Sequence, residues 1–208
     1  MIIITGTGRC GTGWASKLLT SAGVECGHEA LFSFDGWEAA QERMAESDLD
    51  ADSSWLAVPF LDELDNNVTI VHLVRHPKPT IDSFRRIGFF NPRMHRQHHH
   101  YAHFAQRHLP GAWEYTNTRM RAAHYYYAWN RMIEELAPNA IFHRIEDGGE
   151  ALIEKLELTI PDEALYAETD YNHRNGPVVS DVNLSALWEP CKSMIAEIAR
   201  DYGYSISI

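Results

Sequence analysis

The sequence predicts an α/β fold in which a central, mainly parallel sheet is flanked by helices. Three apolar or β-branched runs have the length of buried strands: residues 2–5, 69–74 and 140–143. Segments with a helical spacing of apolar residues lie between and after them: residues 14–22, 37–46, 118–136 and 149–156. A glycine-rich stretch, residues 6–13, joins the first strand to the first helix. Because strands and helices alternate along the chain, the strands are expected to pair in parallel.

The remaining elements are shorter or less regular. A second strand is predicted at residues 24–26, and further helices are predicted in part of 59–64, at 79–86 and at 184–202. Residues 87–117 lack a clear period and contain two prolines and two glycines, which predicts an irregular, lid-like excursion with short helices at most. Since the sequence has no internal repeat and no linker, we expect residues 1–208 to form a single domain with this excursion.

Composition and charge place the chain among globular proteins. Of its 208 residues 45% are hydrophobic and 23% are charged, which excludes a disordered, collagen-like or coiled-coil chain. The net charge of -11 argues against a nucleic-acid partner, because proteins that bind duplex DNA usually carry the opposite sign. Residues 75–131 nevertheless hold ten basic and two acidic residues, so this stretch carries +8 and the rest of the chain -19. The positive stretch is either an anion-handling segment or a solvated surface.

The sequence predicts a cytoplasmic protein without a membrane partner. It does not begin with the basic and then apolar segments of a signal peptide, and it contains no run of 18 apolar residues. The three cysteines, Cys10, Cys26 and Cys191, are widely spaced and form neither a disulfide framework nor a metal motif. A reducing compartment is the natural expectation for such a chain.

The strand, glycine-rich loop and helix at the start of the chain are the elements of an oxyanion-binding loop. Glycines let backbone N–H groups converge, and the helix N-terminus adds partial positive charge. A nucleotide triphosphatase would carry Lys and then Ser or Thr directly after Gly11, whereas this chain has Thr12 and Gly13 there. Arg9 supplies a permanent cation inside the loop instead. The loop therefore predicts a site for one phosphate, with a plain glycine-rich turn as the alternative.

Two other enzyme classes use similar loops. Gly6, Gly8 and Gly11 fit the dinucleotide pattern Gly-x-Gly-x-x-Gly. Glu29 lies at about the distance expected of the ribose-binding acid in that pattern, so spacing alone leaves a dehydrogenase open. A P-loop kinase of a small metabolite would need a lysine directly after Gly11, and the sequence lacks it.

A second candidate anion site follows the strand at residues 69–74. Arg75 ends that strand, and Ser83 lies eight residues later on the next predicted helix. An arginine and a hydroxyl at these places can bind a second phosphate. Two separate phosphate sites do not fit a pyrophosphate, but they fit a nucleoside that is phosphorylated at its 3' and 5' positions.

These segments resemble the motifs of the sulfotransferases that use 3'-phosphoadenosine 5'-phosphosulfate (PAPS). Residues 8–14, Gly-Arg-Cys-Gly-Thr-Gly-Trp, resemble their 5'-phosphosulfate loop, and Arg75 with Ser83 resembles their 3'-phosphate motif. Residues 144–147, Arg-Ile-Glu-Asp, resemble a stretch that follows a later strand in the family, and residues 184–204 resemble its C-terminal helix. The likeness covers most of the chain and is weakest in the lid-like excursion.

Within this family the chain is most similar to the tyrosylprotein type and its bacterial relatives. Those enzymes have Arg at the loop position held here by Arg9, and an acidic catalytic base shortly after the second strand, which residues 26–29, Cys-Gly-His-Glu, match. The chain departs from the family at Cys10, usually Ser, and at Gly13, often Thr or Ser. Loss of those hydroxyls is expected to weaken loop contacts or to alter control of the transfer step.

The resemblance implies a three-layer P-loop-like fold and a reaction. A sulfuryl group would pass from PAPS to a hydroxyl or amine of an acceptor, leaving adenosine 3',5'-bisphosphate, with no metal required. Arg9 would stabilise the leaving phosphate, Glu29 is the first candidate for the general base, and His28 is the rival base. The implied donor-binding residues are Gly8, Arg9, Cys10, Gly11, Thr12, Gly13, Trp14, Arg75 and Ser83.

The acceptor is not identified by the sequence. It is expected to be a small molecule, a peptide or a glycan, since residues 87–117 carry no recognisable acceptor code. A nonenzymatic module that binds adenosine bisphosphate is the alternative outside enzymes. Such a module would keep Arg75 and Ser83 but would not need Arg9 and Glu29.

Two clusters have both a structural and a functional interpretation. Trp14 and the aromatic residues at 125–129 can stack on adenine or on the acceptor, although aromatic residues at helical spacing more often form core. His95, His99 and His103 follow one another at intervals of four residues, which permits a metal site, but a polar lid surface is the expectation.

Overall fold

The computed structural model describes residues 1–91, 99–159 and 184–207. The strands in that part of the chain are β1 (Ile2–Thr5), β2 (Cys26–His28), β3 (Ala51–Ser53), β4 (Thr69–Val74) and β5 (Ile141–Arg144). The α-helices are α1 (Thr12–Ser21), α2 (Trp37–Glu46), α3 (Pro77–Arg86), α4 (His99–His108), α5 (Thr118–Leu136), α6 (Gly148–Lys155) and α7 (Cys191–Asp201). Segments of 3-10 helix cover Trp55–Glu63, Pro110–Glu114, Ile145–Asp147 and Leu184–Ala186.

The five strands form one parallel sheet in the order β2-β3-β1-β4-β5. This confirms the predicted α/β class with its central parallel sheet and flanking helices. After β1 the chain builds β2 and β3 on one side of the sheet, and then β4 and β5 on the other, so the strand order reverses between β1 and β4. Ligands of open α/β sheets bind outside the carboxyl ends of the strands at such a reversal. The glycine-rich loop leaves β1 at this point.

The described chain divides into two compact units. Of the described residues, 1–74 and 132–159 form a sheet unit, and 75–91, 99–131 and 184–207 form a helical unit. The expectation of a single domain stays a prediction. Within the described residues, no helix combines the length and the apolar character that crossing a bilayer requires.

The core of the sheet unit lies beneath α1. Ile4 of β1 and Leu73 of β4 are fully buried and pack with Leu18 of α1 and Leu152 of α6. The β-branched side chains of β1 suit this position, because they fit a pleated surface that is covered by helices. Burial of each such side chain contributes about 1.5 to 3 kcal/mol, so this cluster fixes α1 against the sheet.

The helical unit is built around an aromatic core. Tyr125 and Trp129 of α5 are fully buried, with ring centroids 5.0 Å apart, and Phe84 of α3 meets the Tyr125 ring edge-on at 5.2 Å. The Tyr126 hydroxyl donates to the Arg75 carbonyl oxygen at 2.6 Å. The structural interpretation of this aromatic cluster is therefore confirmed, since these rings fill the core.

Some predicted elements differ in the structure, and one strand was not predicted. The second strand covers Cys26–His28 rather than 24–26, and the predicted helix over 184–202 is broken into a 3-10 segment and α7. Pro190 explains the break, because proline has no backbone N–H to continue a helix. Strand β3 was not predicted at all, since Ala51, Asp52 and Ser53 are residue types that are poor in β propensity.

The lid-like excursion contains regular structure where it is described. Helix α4 and the 3-10 segment Pro110–Glu114 lie within residues 87–117, which agrees with the expectation of short helices at most. Residues 92–98 of this stretch, including His95, lie outside the described residues. His103 is an exposed residue of α4.

We predict that Gly6→Ala destabilises the sheet unit by about 2 to 3 kcal/mol or more. A Cβ at Gly6 would collide with the backbone carbonyl of Leu73 and would lie 2.7 Å from the Cys10 sulfur. Gly23→Ala is the matched control, because its φ of +82° is strained but nothing lies within 4 Å of the added carbon, so about 1 kcal/mol is expected. Chemical denaturation measures both losses. Equal losses would contradict the close approach at Gly6.

Candidate active site

The loop between β1 and α1 is tightly fixed within the sheet unit. Gly6 packs against the Leu73 carbonyl with no room for a side chain. Gly11 has a φ of +111°, and a Cβ there would collide with the Ile145 side chain. Arg9 itself takes a φ of +71°, a conformation that costs a non-glycine residue on the order of 1 kcal/mol. The loop conformation thus requires glycine at two positions and strains a third.

The first turn of α1 has backbone donors that no bond within the helix satisfies. The first intrahelical bond runs from the Ala15 N–H to the Gly11 carbonyl at 3.0 Å, so the N–H groups from Gly11 to Trp14 have no partner within the helix. The N-cap residue Gly11 makes no side-chain cap bond, and the first turn contains no acidic residue. The partial positive charge of this helix end is therefore uncompensated by the helix itself, which favours an anion.

The Cys10 side chain belongs to the core of the sheet unit. Its side chain is fully buried in the core with Ile4 and Leu18, and its N–H donates to the Thr7 carbonyl at 3.2 Å. A serine hydroxyl at this place would lie in apolar surroundings. The position where the resemblance leads us to expect a hydroxyl is thus occupied by a core-packing group.

The predicted base segment lies beside α1. The Thr12 hydroxyl and His28 Nε2 are 3.3 Å apart, which joins the first residue of α1 to the last residue of β2. His28 Nε2 lies 4.0 Å from a Glu29 carboxylate oxygen, and the two side chains are 42% and 22% exposed. The structure therefore brings together the loop, Thr12, His28 and Glu29 on the sheet unit, with both base candidates open to solvent.

Glu29 is held in an unusual backbone conformation. Three described non-glycine residues have a positive φ: Arg9, Glu29 and Glu157. Glu157 follows the end of α6, where a left-handed residue commonly closes a helix. The other two are the residues that the sequence predicts to stabilise the leaving phosphate and to act as base. Strained residues concentrate at functional sites, so this is independent support for both predictions.

The sequence prediction missed Asp52, a fully buried carboxylate on β3. Its oxygens accept the N–H groups of Ala30 and Leu31 at 3.1 and 3.2 Å, directly after Glu29. Burial raises the pKa of Asp52, the two backbone N–H groups oppose that rise, and the nearby Glu29 adds to it. No pattern could have found it, since an acid among Ala51 and Ser53 is typical of a loop rather than of a strand.

The second predicted anion site belongs to the helical unit. Arg75 directly follows β4 in the chain, and its carbonyl oxygen accepts the Tyr126 hydroxyl. Ser83 is a buried residue of α3, and His76 caps that helix by accepting the Lys78 N–H at 3.1 Å. Assignment of a 3'-phosphate to Arg75 and Ser83 stays a prediction.

Several cations of the positive stretch are engaged within the protein. Arg121 donates to the carbonyl oxygens of Tyr115 and Phe90, and Arg131 pairs with Glu197 and Asp201. Arg85 and Arg86 both lie within 4 Å of the Asp82 carboxylate. The +8 of this stretch is therefore not all available to a ligand, because part of it holds the helical unit together.

The motif at residues 144–147 also has a structural role. Arg144 ends β5 and donates through Nε to both Asp147 oxygens at 3.0 and 3.1 Å, which lowers the pKa of Asp147. This pair closes the turn that places Ile145 against Gly11. The segment thus supports the loop from outside.

Trp14 and His143 form the other support of α1. Their rings are stacked, with an interplanar angle of 6° and centroids 6.4 Å apart. His143 is fully buried, and neither ring nitrogen makes a hydrogen bond of good geometry in the described structure. Trp14 is half-buried, so part of its surface stays open beside the loop.

Comparisons with known proteins bear on the fold. No family model and no curated protein matches the chain. Among solved structures, the sulfotransferase domain from the curacin biosynthetic pathway matches with a TM-score of 0.62 and 13% sequence identity, over 100% of this chain and 98% of that one. This chain has the fold of that sulfotransferase domain. The predicted three-layer arrangement is confirmed by the match, and the family resemblance is supported at the level of fold.

The described residues contain no cluster of three or more His, Cys, Asp or Glu side chains able to hold a metal ion. The donors that the sequence predicts for this site are backbone N–H groups, the hydroxyl of Thr12 and the guanidinium of Arg9. This donor set suits an oxyanion rather than a cation.

We predict that the free energy of unfolding falls as the pH drops from about 6.5 toward 4. Burial, with a smaller effect of Lys155, lowers the pKa of His143 to about 4. The unfolded chain therefore binds a proton that the folded chain refuses in this window, at a cost of about 2 to 3 kcal/mol at its acid end.

Denaturation curves at several pH values test this for His143→Phe, which should flatten the slope. Burial also lowers the pKa values of His108 and His124, so some slope persists in the variant. The exposed His103→Gln is the control and should follow the wild type. An unchanged slope in His143→Phe would contradict the assignment.

Proposed function

We propose that this protein transfers a sulfuryl group from PAPS to a hydroxyl or amine of an acceptor. The observation that carries the proposal is the 3.3 Å approach of Thr12 to His28. It sets the segment that ends in Glu29 beside a helix N-terminus that lacks its own cap. An anion-binding loop next to a solvent-accessible base is the combination that this reaction needs. The fold shared with a sulfotransferase domain supports the same class.

The proposed step assigns a task to each group. The acceptor oxygen attacks the sulfur, the bond from sulfur to the acceptor forms, and the bond from sulfur to the 5'-phosphate oxygen breaks. The acceptor proton passes to the Glu29 carboxylate, with His28 as the rival base. Negative charge grows on the leaving phosphate oxygen, where Arg9 and the first N–H groups of α1 stabilise it. The products are the sulfated acceptor and adenosine 3',5'-bisphosphate.

The donor assignment rests on two separate sets of residues. The loop of residues 8–14 would take the 5'-phosphosulfate, and Arg75 with Ser83 would take the 3'-phosphate. We place the reaction in the cytoplasm, which three free cysteines support. The acceptor is a small molecule, a peptide or a glycan.

We predict that adenosine 3',5'-bisphosphate raises the melting temperature more than ATP with magnesium does. A ligand that binds only the folded state stabilises it by mass action, about 2.7 kcal/mol at a hundredfold excess over its Kd. Differential scanning fluorimetry compares the two ligands, with adenosine 5'-monophosphate as the control for a single phosphate. Greater stabilisation by ATP with magnesium would favour a small-metabolite kinase.

We predict that Glu29→Gln lowers turnover on the order of 100-fold or more without weakening bisphosphate binding. The amide keeps the shape of the side chain but cannot accept the proton, and general base catalysis contributes about 100- to 10,000-fold. Transfer from labelled PAPS to a panel of phenols, tyrosine peptides, sugars and amines measures turnover, and calorimetry measures binding.

Glu25→Gln is the matched control, because Glu25 is an exposed acid next to the same strand. It should leave both quantities unchanged. If Glu29→Gln turns over normally while His28→Gln does not, His28 is the base. If neither change slows a measurable transfer, the assignment of the base to this segment is wrong.

A further inference from the structure

Three consecutive backbone N–H groups after β2 are held by two residues of β3. The Glu29 N–H donates to the Ser53 carbonyl oxygen at 3.2 Å. The Ala30 N–H donates to Asp52 Oδ1 at 3.1 Å, and the Leu31 N–H donates to Asp52 Oδ2 at 3.2 Å. One carboxylate therefore binds both peptide groups that follow the candidate base.

Gly27 makes the room for this contact. It lies opposite Asp52 in the register of β2 and β3, and a Cβ there would lie 2.7 Å from Asp52 Oδ1. It would also lie 2.6 Å from the Cβ of Ala30. The absent side chain is what allows the carboxylate to reach past β2 to the turn. In the sequence Cys-Gly-His-Glu, Gly27 thus leaves the space for Asp52, and the two base candidates follow it, of which Glu29 has the positive φ.

The far side of the same turn is held by Arg43 of α2. Its Nε donates to the Leu31 carbonyl oxygen at 2.8 Å, and its two terminal nitrogens donate to the Asp35 carboxylate at 2.9 and 2.8 Å. The Leu31 N–H thus donates to Asp52, and the Leu31 carbonyl oxygen accepts from Arg43. The turn that carries Glu29 is fixed from the sheet on one side and from α2 on the other.

Burial of a carboxylate costs free energy, so its use to fix a turn indicates that the position of this turn matters. Removing a charge from water costs several kcal/mol unless hydrogen bonds replace the lost solvent. Only a carboxylate offers two acceptor oxygens in this geometry, since an asparagine would present one oxygen and one donor to two N–H groups. The left-handed φ of Glu29, +56°, must be held against its own strain. Asp52 restrains this conformation through the N–H groups of the two residues that follow Glu29.

We propose that Asp52 is a positioning residue that fixes the Glu29 carboxylate for proton transfer. The inference rests on the proposed function, because it gives Asp52 a role only through Glu29. Asp52 itself is fully buried and reaches no substrate. Its hydrogen bonds hold the turn in one conformation, so that the Glu29 carboxylate keeps one position.

Hydrogen exchange tests the physical half of the proposal without any acceptor. In Asp52→Ala the amides of residues 29–31 should exchange on the order of 10- to 100-fold faster, because two bonds to a charged group are lost. In Asp52→Asn the increase should be smaller. The amides of β1 and β4 should stay protected in both variants. Unchanged exchange at residues 29–31 overturns the proposal.

Kinetics test the functional half. With the best acceptor of the panel, Asp52→Ala should lower kcat on the order of 10- to 100-fold while the KM for PAPS changes less than about threefold. Asp52→Asn should recover part of kcat. In a Glu29→Gln background, Asp52→Ala should cause no further loss, since it acts through the missing base.

Ile153→Val is the control for plain destabilisation. Ile153 is a buried core residue of α6, so this change lowers the melting temperature without touching the turn. It should leave kcat and the exchange at residues 29–31 unchanged. If it lowers kcat as Asp52→Ala does, or if the Asp52 and Glu29 effects multiply independently, Asp52 is merely structural and the proposal is wrong.

The experiments distinguish failure of the positioning role from failure of the proposed base. If Glu29→Gln slows transfer but Asp52→Ala does not, the positioning role alone is overturned. If Glu29→Gln leaves transfer intact, the proposed base is overturned and the positioning role with it. Faster exchange in Asp52→Ala would in that case still mark Asp52 as the anchor of the turn.

Discussion

The turn between β1 and α1 is the constraint on which the candidate site depends. Gly6 packs against the backbone of β4, and Gly11 packs against Ile145 in a left-handed conformation. Neither contact tolerates a side chain. Together they fix where α1 begins, and so where its unsatisfied N–H groups are presented. An anion bound there completes hydrogen bonds that the fold leaves open, which is why the loop is suited to a phosphate.

The turn after β2, which carries Glu29, lies beside the first turn and also contains a non-glycine residue with a positive φ. Glu29 is strained like Arg9, and neither residue is a glycine that would relieve the strain. The Glu29 N–H donates to the Ser53 carbonyl oxygen, and the next two N–H groups donate to Asp52. The contact between Thr12 and His28 links the two turns. Two adjacent turns that each store strain form an arrangement in which a leaving phosphate and a base can be kept in register.

The sequence predicted those features whose physics is local. The run Ile2-Ile3-Ile4 predicts a buried strand, the glycines predict the loop, and the absence of Lys after Gly11 separates it from a nucleotide triphosphatase loop. The conformational strain of Glu29 could not be predicted, because it follows from bonds to β3. Nor could β3, since residues with little β propensity form a strand there only because two neighbouring strands provide bonding partners.

The charge count indicated less about the site than the other sequence observations did. The sequence permits the +8 stretch to be an anion-handling segment, yet Arg121 and Arg131 are engaged by carbonyls and carboxylates inside the helical unit. A count of charges does not distinguish a cation that holds a fold from one that meets a ligand. Cys10 shows the same limit, since only the structure reveals that its side chain belongs to the core.

A crystal structure with adenosine 3',5'-bisphosphate would show whether the loop after β1 binds the 5'-phosphate. We expect that phosphate at the start of α1, within hydrogen-bond distance of the N–H groups between Gly11 and Trp14. We also expect Arg9 to contact a phosphate oxygen and the Glu29 carboxylate to face the side where an acceptor would enter. A nucleotide bound elsewhere, with the loop after β1 empty, would contradict the proposed donor site.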